Sequence, residues 1–213
     1  MKIALIGASG FVGTAILKEA ISRGHAVTAL VRHPEKIAGA PNVTVEKVDV
    51  LNTDDLARKL ANHDIVVSAY NPGWNEPEIR TIHVKANQSI TDATRKAGIK
   101  RLIAVGGAGS LEIAPGIQLV DTPAFPAEYR EGALGARQAL NDLRKENELD
   151  WSFVSPAIIL TPGERTGKYR LGADQPVFDA EGNSKISVED LAVAIVDEVE
   201  KPRHVKQRFT AAY

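Results

Sequence analysis

Three glycines stand three residues apart in the stretch IGASGFVGTAI (6–16): Gly7, Gly10 and Gly13. An apolar run precedes them and an apolar helical pattern follows. Such spacing serves either a plain tight turn or a cradle for the pyrophosphate of a dinucleotide. A pyrophosphate needs close backbone N–H donors and the positive end of a helix, and a Cβ would block its approach. On that reading Gly7 lets the chain leave the strand sharply. Gly10 lets the backbone reach the phosphates, and Gly13 lets the helix pack against the sheet. A glycine-rich loop alone is a weak sign, but this one follows a strand and opens a helix, which is the context the motif requires. The residues therefore predict a bound dinucleotide.

The end of the next apolar run, ALVRHPEKI (29–37), bears on which dinucleotide. An acid there suits the ribose 2′-hydroxyl of NAD, and an arginine suits the 2′-phosphate of NADP. Arg32 holds the deciding place, and Glu35 comes only after Pro34. A guanidinium can grip a phosphate through two parallel hydrogen bonds. NADP(H) is favoured over NAD(H), the plainer alternative being a solvated arginine at a strand end. His33 reads equally as a helper or as a surface residue. In KVDVLN (47–52), Asp49 is placed to accept from an adenine amino group, or else to serve a turn or cap beside Asn52 and Thr53.

Proton chemistry is harder to find. A Tyr-x-x-x-Lys pair would lower the phenol pKa and let it protonate a carbonyl. Tyr129, in EYREGALG (128–135), has Ala133 four residues on, and Tyr70 has Trp74. The missing lysine counts against alcohol dehydrogenases, carbonyl reductases and sugar-nucleotide epimerases. A flavin acceptor removes the need, since hydride passes ring to ring and solvent supplies the proton. Tyr70, Trp74, Ser110, Phe125 and Tyr129 are candidates to frame such a pocket. Ser110 and Tyr129 are the only candidates for a catalytic polar group, and neither is certain. Each aromatic also reads as packing, and Ser110 as a turn stabiliser. With no cysteine in the chain, thiol chemistry is excluded. His25, His33, His63, His83 and His204 show no metal spacing, so no metal is expected. His83, beside the apolar positions Ile82 and Ala86, reads as a core-edge residue. GASGF does not match the nucleophile elbow of a serine hydrolase.

These residues must be carried by elements. KIALIG (2–7), AVTALVR (26–32), VTVEKVDV (43–50), DIVVSAY (64–70), RLIAVGG (101–107) and WSFVSPAIIL (151–160) read as strands. Several are nearly all apolar, as parallel strands covered on both faces should be. Amphipathic helices alternate with them: Val12, Ala15, Ile16 and Ala20 share a stripe, as do Ile79, Ile82, Ala86, Ile90, Ala93 and Ala97, with Gly98 as a stop. Ala133, Ala136, Leu140 and Leu143 mark another helix. The last opens at SVED with a capping box of Ser187 and Asp190, and ends before Pro202. The expected fold is α/β: a Rossmann-type, doubly wound, mostly parallel sheet with helices on both faces. Residues 1–213 read as one NAD(P)-binding domain, its substrate pocket built from loops 70–79, 107–126 and 161–186. Short strands are expected near GKYRLG (167–172) and PVFDA (176–180).

Lys plus Arg number 26 and Asp plus Glu 27, a net charge of −1. Such a balance leaves no footprint for nucleic acid or an anionic membrane. No run approaches a membrane span, and MKIALIGASG lacks the form of a signal peptide, so a cytoplasmic protein is expected.

Taken together, GASGFVG, the VR strand end, DV at 49–50, VSA at 67–69 and VGGAGSL at 105–111 resemble atypical short-chain dehydrogenase/reductases. LDWSFVSPA (149–157), PGERTG (162–167) and SKISVEDLAVAIVDEVE (184–200) narrow the resemblance to NAD(P)H-flavin reductases, related to NmrA-like proteins and biliverdin reductase B. It spans nearly the whole chain. It implies strand order 3-2-1-4-5-6 with NADP(H) across the strand carboxyl ends. Matching positions would set Gly7, Ser9, Gly10, Phe11 and Val12 on the pyrophosphate and Arg32 on the 2′-phosphate. Asp49 and Val50 would meet adenine. Ser68, Ala69 and Tyr70 would lie near the nicotinamide half, with Gly107, Pro156 and Ala157 beside the ring. The leading expectation is an oxidoreductase using NADPH on a small flavin-like or quinone-like acceptor. The alternative is an NmrA-like redox sensor that binds NADP(H) without turnover and signals to a protein partner. An isomerase or epimerase is opposed by the absent lysine. No oligomeric state can be read.

Overall fold

The computed structural model describes all 213 residues. The chain runs β1 (Lys2–Ile6), α1 (Phe11–Ser22), β2 (Ala26–Val31), β3 (Val43–Lys47), α2 (Thr53–Leu60), β4 (Ile65–Ser68), α3 (Ile79–Lys96) and β5 (Arg101–Val105). It continues through β6 (Glu112–Ala114), β7 (Ile117–Gln118), α4 (Ala127–Leu143), β8 (Asp150–Pro156), β9 (Ile159–Thr161), β10 (Arg170–Gly172), β11 (Lys185–Ser187), α5 (Val188–Glu200) and β12 (Gln207–Ala212).

Eight strands form the central sheet in the order β10-β12-β8-β5-β4-β1-β2-β3, parallel throughout except for β10. Counting β8 as the sixth strand reproduces the expected 3-2-1-4-5-6 order. β4 is buried along its whole length and β1 from its second residue onward. Helices cover both faces, which is why these strands carry almost no polar residue. α1 and α5 pack together on one face over Leu5, Val67, Val154 and Phe209, while α2, α3 and α4 cover Ile6, Val66, Leu102 and Phe153 on the other. The order reverses between β1 and β4, and this switch point is where an open α/β sheet leaves a crevice.

The structure corrects the strand reading in three places. WSFVSPAIIL is not one strand: β8 stops at Pro156, and β9 leaves to pair with β11 in a separate two-stranded sheet. Pro156 has no N–H to donate, and the Ile159 N–H goes to Ser184 O instead. PVFDA forms no strand, because Asp179 closes a turn by accepting the N–H groups of Glu181 and Asn183 at 3.1 and 2.7 Å. β12, which the pattern did not announce, occupies the sheet position beyond β8. GKYRLG does supply β10. At the end of α3, Gly98 takes φ +74° and terminates the helix as expected. The capping box at α5 is only half formed. Ser187 Oγ accepts from Asp190 N at 3.0 Å, but the Asp190 carboxylate turns outward to Thr166, Gly167 and Tyr213. No helix is long and apolar enough to cross a membrane.

Candidate functional site

Two of the three glycines answer to the protein itself. Gly7 has φ +78°, and a Cβ there would lie 2.7 Å from Ala69 O at the end of β4. A Cβ on Gly13 would fall 2.0 Å from Gly7 O, so its constraint comes from the turn itself and not from the sheet. Gly10 is different: the only atom near its missing Cβ is Gly7 O, at 3.3 Å. It opens α1 without a side-chain cap and with no acid in the first turn. The N–H groups of Phe11, Val12 and Gly13 find no acceptor in the protein. An uncapped, acid-free helix start behind a bare backbone suits a diphosphate. Ser9, Gly10 and Phe11 also border a groove of about 540 Å³ that runs along α1 to Pro162, Arg165 and Glu189.

Arg32 stands exposed at the end of β2, and its one protein partner is Pro72 O, at 3.2 Å from Nη2. The guanidinium therefore lies beside the turn that follows β4. Asp49 is exposed, with Oδ1 accepting the Leu51 N–H at 3.0 Å, while Asn52 caps α2 by accepting from Asp55 N at 3.1 Å. Val50 is buried, so only Asp49 of that pair reaches solvent. Behind the switch point Ser68 is buried and Ala69 donates its N–H to Ile6 O. Pro156 and Ala157 are buried too, so these positions could offer a ligand little but backbone; Ile158 is the first exposed residue after them.

The loop after β4 meets the start of α4 through Trp74. Trp74 and Tyr129, 56% and 45% exposed, stand edge to face with ring centroids 5.0 Å apart. Trp74 rests on α4 at Gly132, where a Cβ would come within 2.7 Å of its ring. Phe125 is half-buried over Gly109. Tyr70 is half-buried, and burial pushes its phenol pKa up. Gly107 is extended and faces α4 at Ala136. Ser110 departs from the role expected of it: it is 1% exposed, with its carbonyl and hydroxyl held by Arg208 Nη1 at 2.9 and 3.2 Å. No lysine makes a hydrogen bond or ion pair with Tyr129.

Residues 161–170 are fastened down. Arg165 makes two bonds to Glu19 at 2.6 and 2.7 Å, and these hold the Glu19 carboxyl below its usual range against its burial. Thr166 Oγ1 and Gly167 N donate to Asp190 at 2.6 and 2.7 Å, and Tyr169 bonds Asp197.

One pair escaped the sequence reading as a site feature. His83 is 5% exposed on α3, its ring centroid 6.4 Å from that of Tyr70. Asn87, one turn on, donates its Nδ2 to His83 Nδ1 at 3.0 Å and to His83 O at 2.9 Å. The i, i+4 spacing was visible, but nothing in it marked the ring as lying beside Tyr70. No cluster of His, Asp or Glu could hold a metal ion.

A family model described as NAD(P)H-binding matches residues 7–202, from the first glycine to Pro202. The chain belongs to this NAD(P)H-binding family. The uncharacterized protein YwnB of Bacillus subtilis is 41% identical over 213 residues, covering 99% of this NAD(P)H-binding chain and 97% of the relative. Two solved structures superpose over 100% of the chain. One, from Bacteroides thetaiotaomicron and provisionally called an epimerase, has TM-score 0.93 and 48% identity over 96% of its own length. The other, from Streptococcus pneumoniae and provisionally called an NADH-flavin reductase, has TM-score 0.87 and 37% identity over 99% of its length. The family is that of the atypical short-chain dehydrogenase/reductase-like proteins that the motifs resemble.

Proposed function

We propose that this protein is a reductase that passes hydride from NADPH to a free flavin or a flavin-like or quinone-like ring. The observation that carries the reading is the mouth: Tyr129, the residue placed to deliver a proton, faces Trp74 and not a lysine. The aromatic edges of Tyr70, Trp74, Phe125 and Tyr129 suit a flat acceptor. The name borne by the Streptococcus pneumoniae relative agrees with this. The other relative's provisional name points to epimerisation, a reaction poorly served by a tyrosine that packs on Trp74 and contacts no lysine.

When bound, the reduced nicotinamide supplies the hydride. On this reading the chain's residues bind and orient. Gly7, Ser9, Gly10, Phe11, Val12 and Gly13 present the backbone to the pyrophosphate, and Arg32 grips the 2′-phosphate with its uncommitted donors. Asp49 offers its free oxygen to the adenine amino group. Ser68–Tyr70, Gly107 and Pro156–Ala157 form the floor of the nicotinamide half. The whole chain acts as one domain, with loops 70–79 and 107–126 around the acceptor and 161–170 as a fixed outer wall.

The test is anaerobic NADPH oxidation by purified protein with FMN, FAD, riboflavin or a quinone added, and NADH run in parallel. Saturable turnover that prefers NADPH is expected. Tight NADPH binding with every acceptor left unreduced would replace this reading with a redox sensor and turn attention to a protein partner.

A further inference from the structure

We propose that His83 is a further catalytic residue, whose Nε2–H donates a hydrogen bond to the acceptor atom on which negative charge gathers as hydride arrives. The proposal rests on the reductase reading above.

The proton is located by its neighbour. Asn87 Nδ2 lies 2.9 Å from the His83 carbonyl oxygen, which can only accept, so this end of the amide is the nitrogen. The second hydrogen of the same nitrogen is directed at His83 Nδ1, 3.0 Å away. Nδ1 must then accept, and the neutral ring carries its proton on Nε2. No protein group accepts from Nε2, and this atom is not among the sealed, unpartnered polar atoms of the interior, which are Arg101 Nε, Trp151 Nε1, Ser155 Oγ and Thr210 Oγ1. The ring is also neutral: burial pushes its pKa down to about 4. The ionisable groups on the packed elements leave it alone. Tyr70 stands beside it after β4, and Arg80 of α3 pairs with Glu131 of α4 at 3.7 Å, near the start of both helices.

The ring's position is fixed. Asn87 holds it at Nδ1, and Gly135 of α4 lets α3 close in at the root of the side chain, since a Cβ there would come within 3.0 Å of His83 Cβ, one turn below the Gly132 that seats Trp74. Tyr70 tilts over it at 57°. His83 therefore sits beside Tyr70, the innermost of the four aromatic residues, with one unused donor. The step balances simply. Hydride carries two electrons from the dinucleotide to the acceptor, the dinucleotide becomes oxidised, and a ring nitrogen or oxygen of the acceptor gains the charge. Nε2–H stabilises that charge without giving up its proton, and water supplies the proton that completes the reduction.

Two measurements test this. The first is the ¹⁵N shifts of the His83 ring in the unmodified protein, which should report a proton on Nε2 at pH 7. In Asn87→Asp the carboxylate should draw a proton to Nδ1, changing the shift pattern and bringing a new ionisation into the pH profile of kcat. The second is acceptor reduction by two variants. His83→Phe should lower kcat on the order of 10²-fold, as loss of one preorganised donor does, with NADPH affinity unchanged. His83→Gln, which keeps a donor near the Nε2 position, should retain most of the rate. A proton found on Nδ1, or a Phe variant as fast as the Gln variant, would overturn the proposal while leaving the reductase reading intact. A wild type inert toward every acceptor would overturn both.

Discussion

Arg32 spends one donor on the Pro72 carbonyl and leaves the rest of its guanidinium facing solvent at the end of β2. A charge-assisted, two-bond grip on phosphate contributes roughly 1.5–3 kcal/mol per such interaction. Arg32→Ala should therefore weaken NADPH binding by about 10- to 100-fold while changing NADH binding by no more than about twofold. Equilibrium titrations with both nucleotides measure it, and equal losses would remove the assignment. At this scale the glycine turn was legible, because its function is written in backbone space that only glycine leaves. The position of Arg32 was legible because the strand end fixes it, and the structure sets it exposed just after β2. Ser110 was not: an exposed-looking serine in a glycine-rich loop proves to be held under Arg208, 98 positions away. His83 was read as a core-edge residue, and it is 5% exposed. Its proton position follows only from the Asn87 amide, which no spacing rule supplies.

At the scale of elements, the alternation of apolar runs gave the sheet and its helices, since parallel strands covered on both faces leave a strong apolar signal. What escaped depends on partners far away in sequence. β12 carries Arg208 as its second residue, and no local pattern predicts burial of a guanidinium until Asp174 is seen to bond it. Residues 161–186 read as a binding loop because the segment is long and irregular, and its first part, 161–170, is rich in polar residues. Those residues are its anchors. Asp190, fully buried, accepts from Thr166, Gly167 and Tyr213 and is held below the usual carboxylate range despite its burial. Asp190→Ala leaves the Gly167 N–H without an acceptor and sends the Thr166 and Tyr213 hydroxyls back to Lys168 O and Ser187 Oγ alone, and it should cost about 2–4 kcal/mol. Denaturant unfolding gives the energy. Limited proteolysis should show faster cleavage at Arg165 and Lys168, and an unchanged cleavage rate would mean that Asp190 does not hold this segment.

At the scale of the whole molecule, the two ends of the sheet divide the labour. At the amino end of β8, Glu198 is buried and gathers the N–H groups of Arg203 and His204, the His204 ring, the Ser152 hydroxyl and Arg101. Burial alone would raise its pKa, but the bonds from His204, Arg203 and Ser152 prevail and keep it below the usual range. At the carboxyl end lie the uncapped helix, the aromatic mouth and the neutral His83. Both groups therefore have folded pKa values depressed below the unfolded ones. Each contributes stability that is full above its unfolded pKa and fades as pH falls toward its folded pKa. His83 acts first, between 6.5 and about 4. That gap corresponds to about 3 kcal/mol, a large part of the roughly 5–15 kcal/mol that holds a domain together. Glu198 adds its share only in more acidic solution. Urea unfolding measured from pH 7.5 to pH 4.5 should thus show wild-type stability falling steeply below pH 6.5, and His83→Gln falling less over the same window whatever its stability at pH 7. The slope and not the starting value carries the answer, because only a proton taken up on unfolding can tilt it. Parallel curves for the two proteins would mean that His83 is not kept neutral by the fold, and would leave the Asn87 contacts as the sole ground for the proton on Nε2.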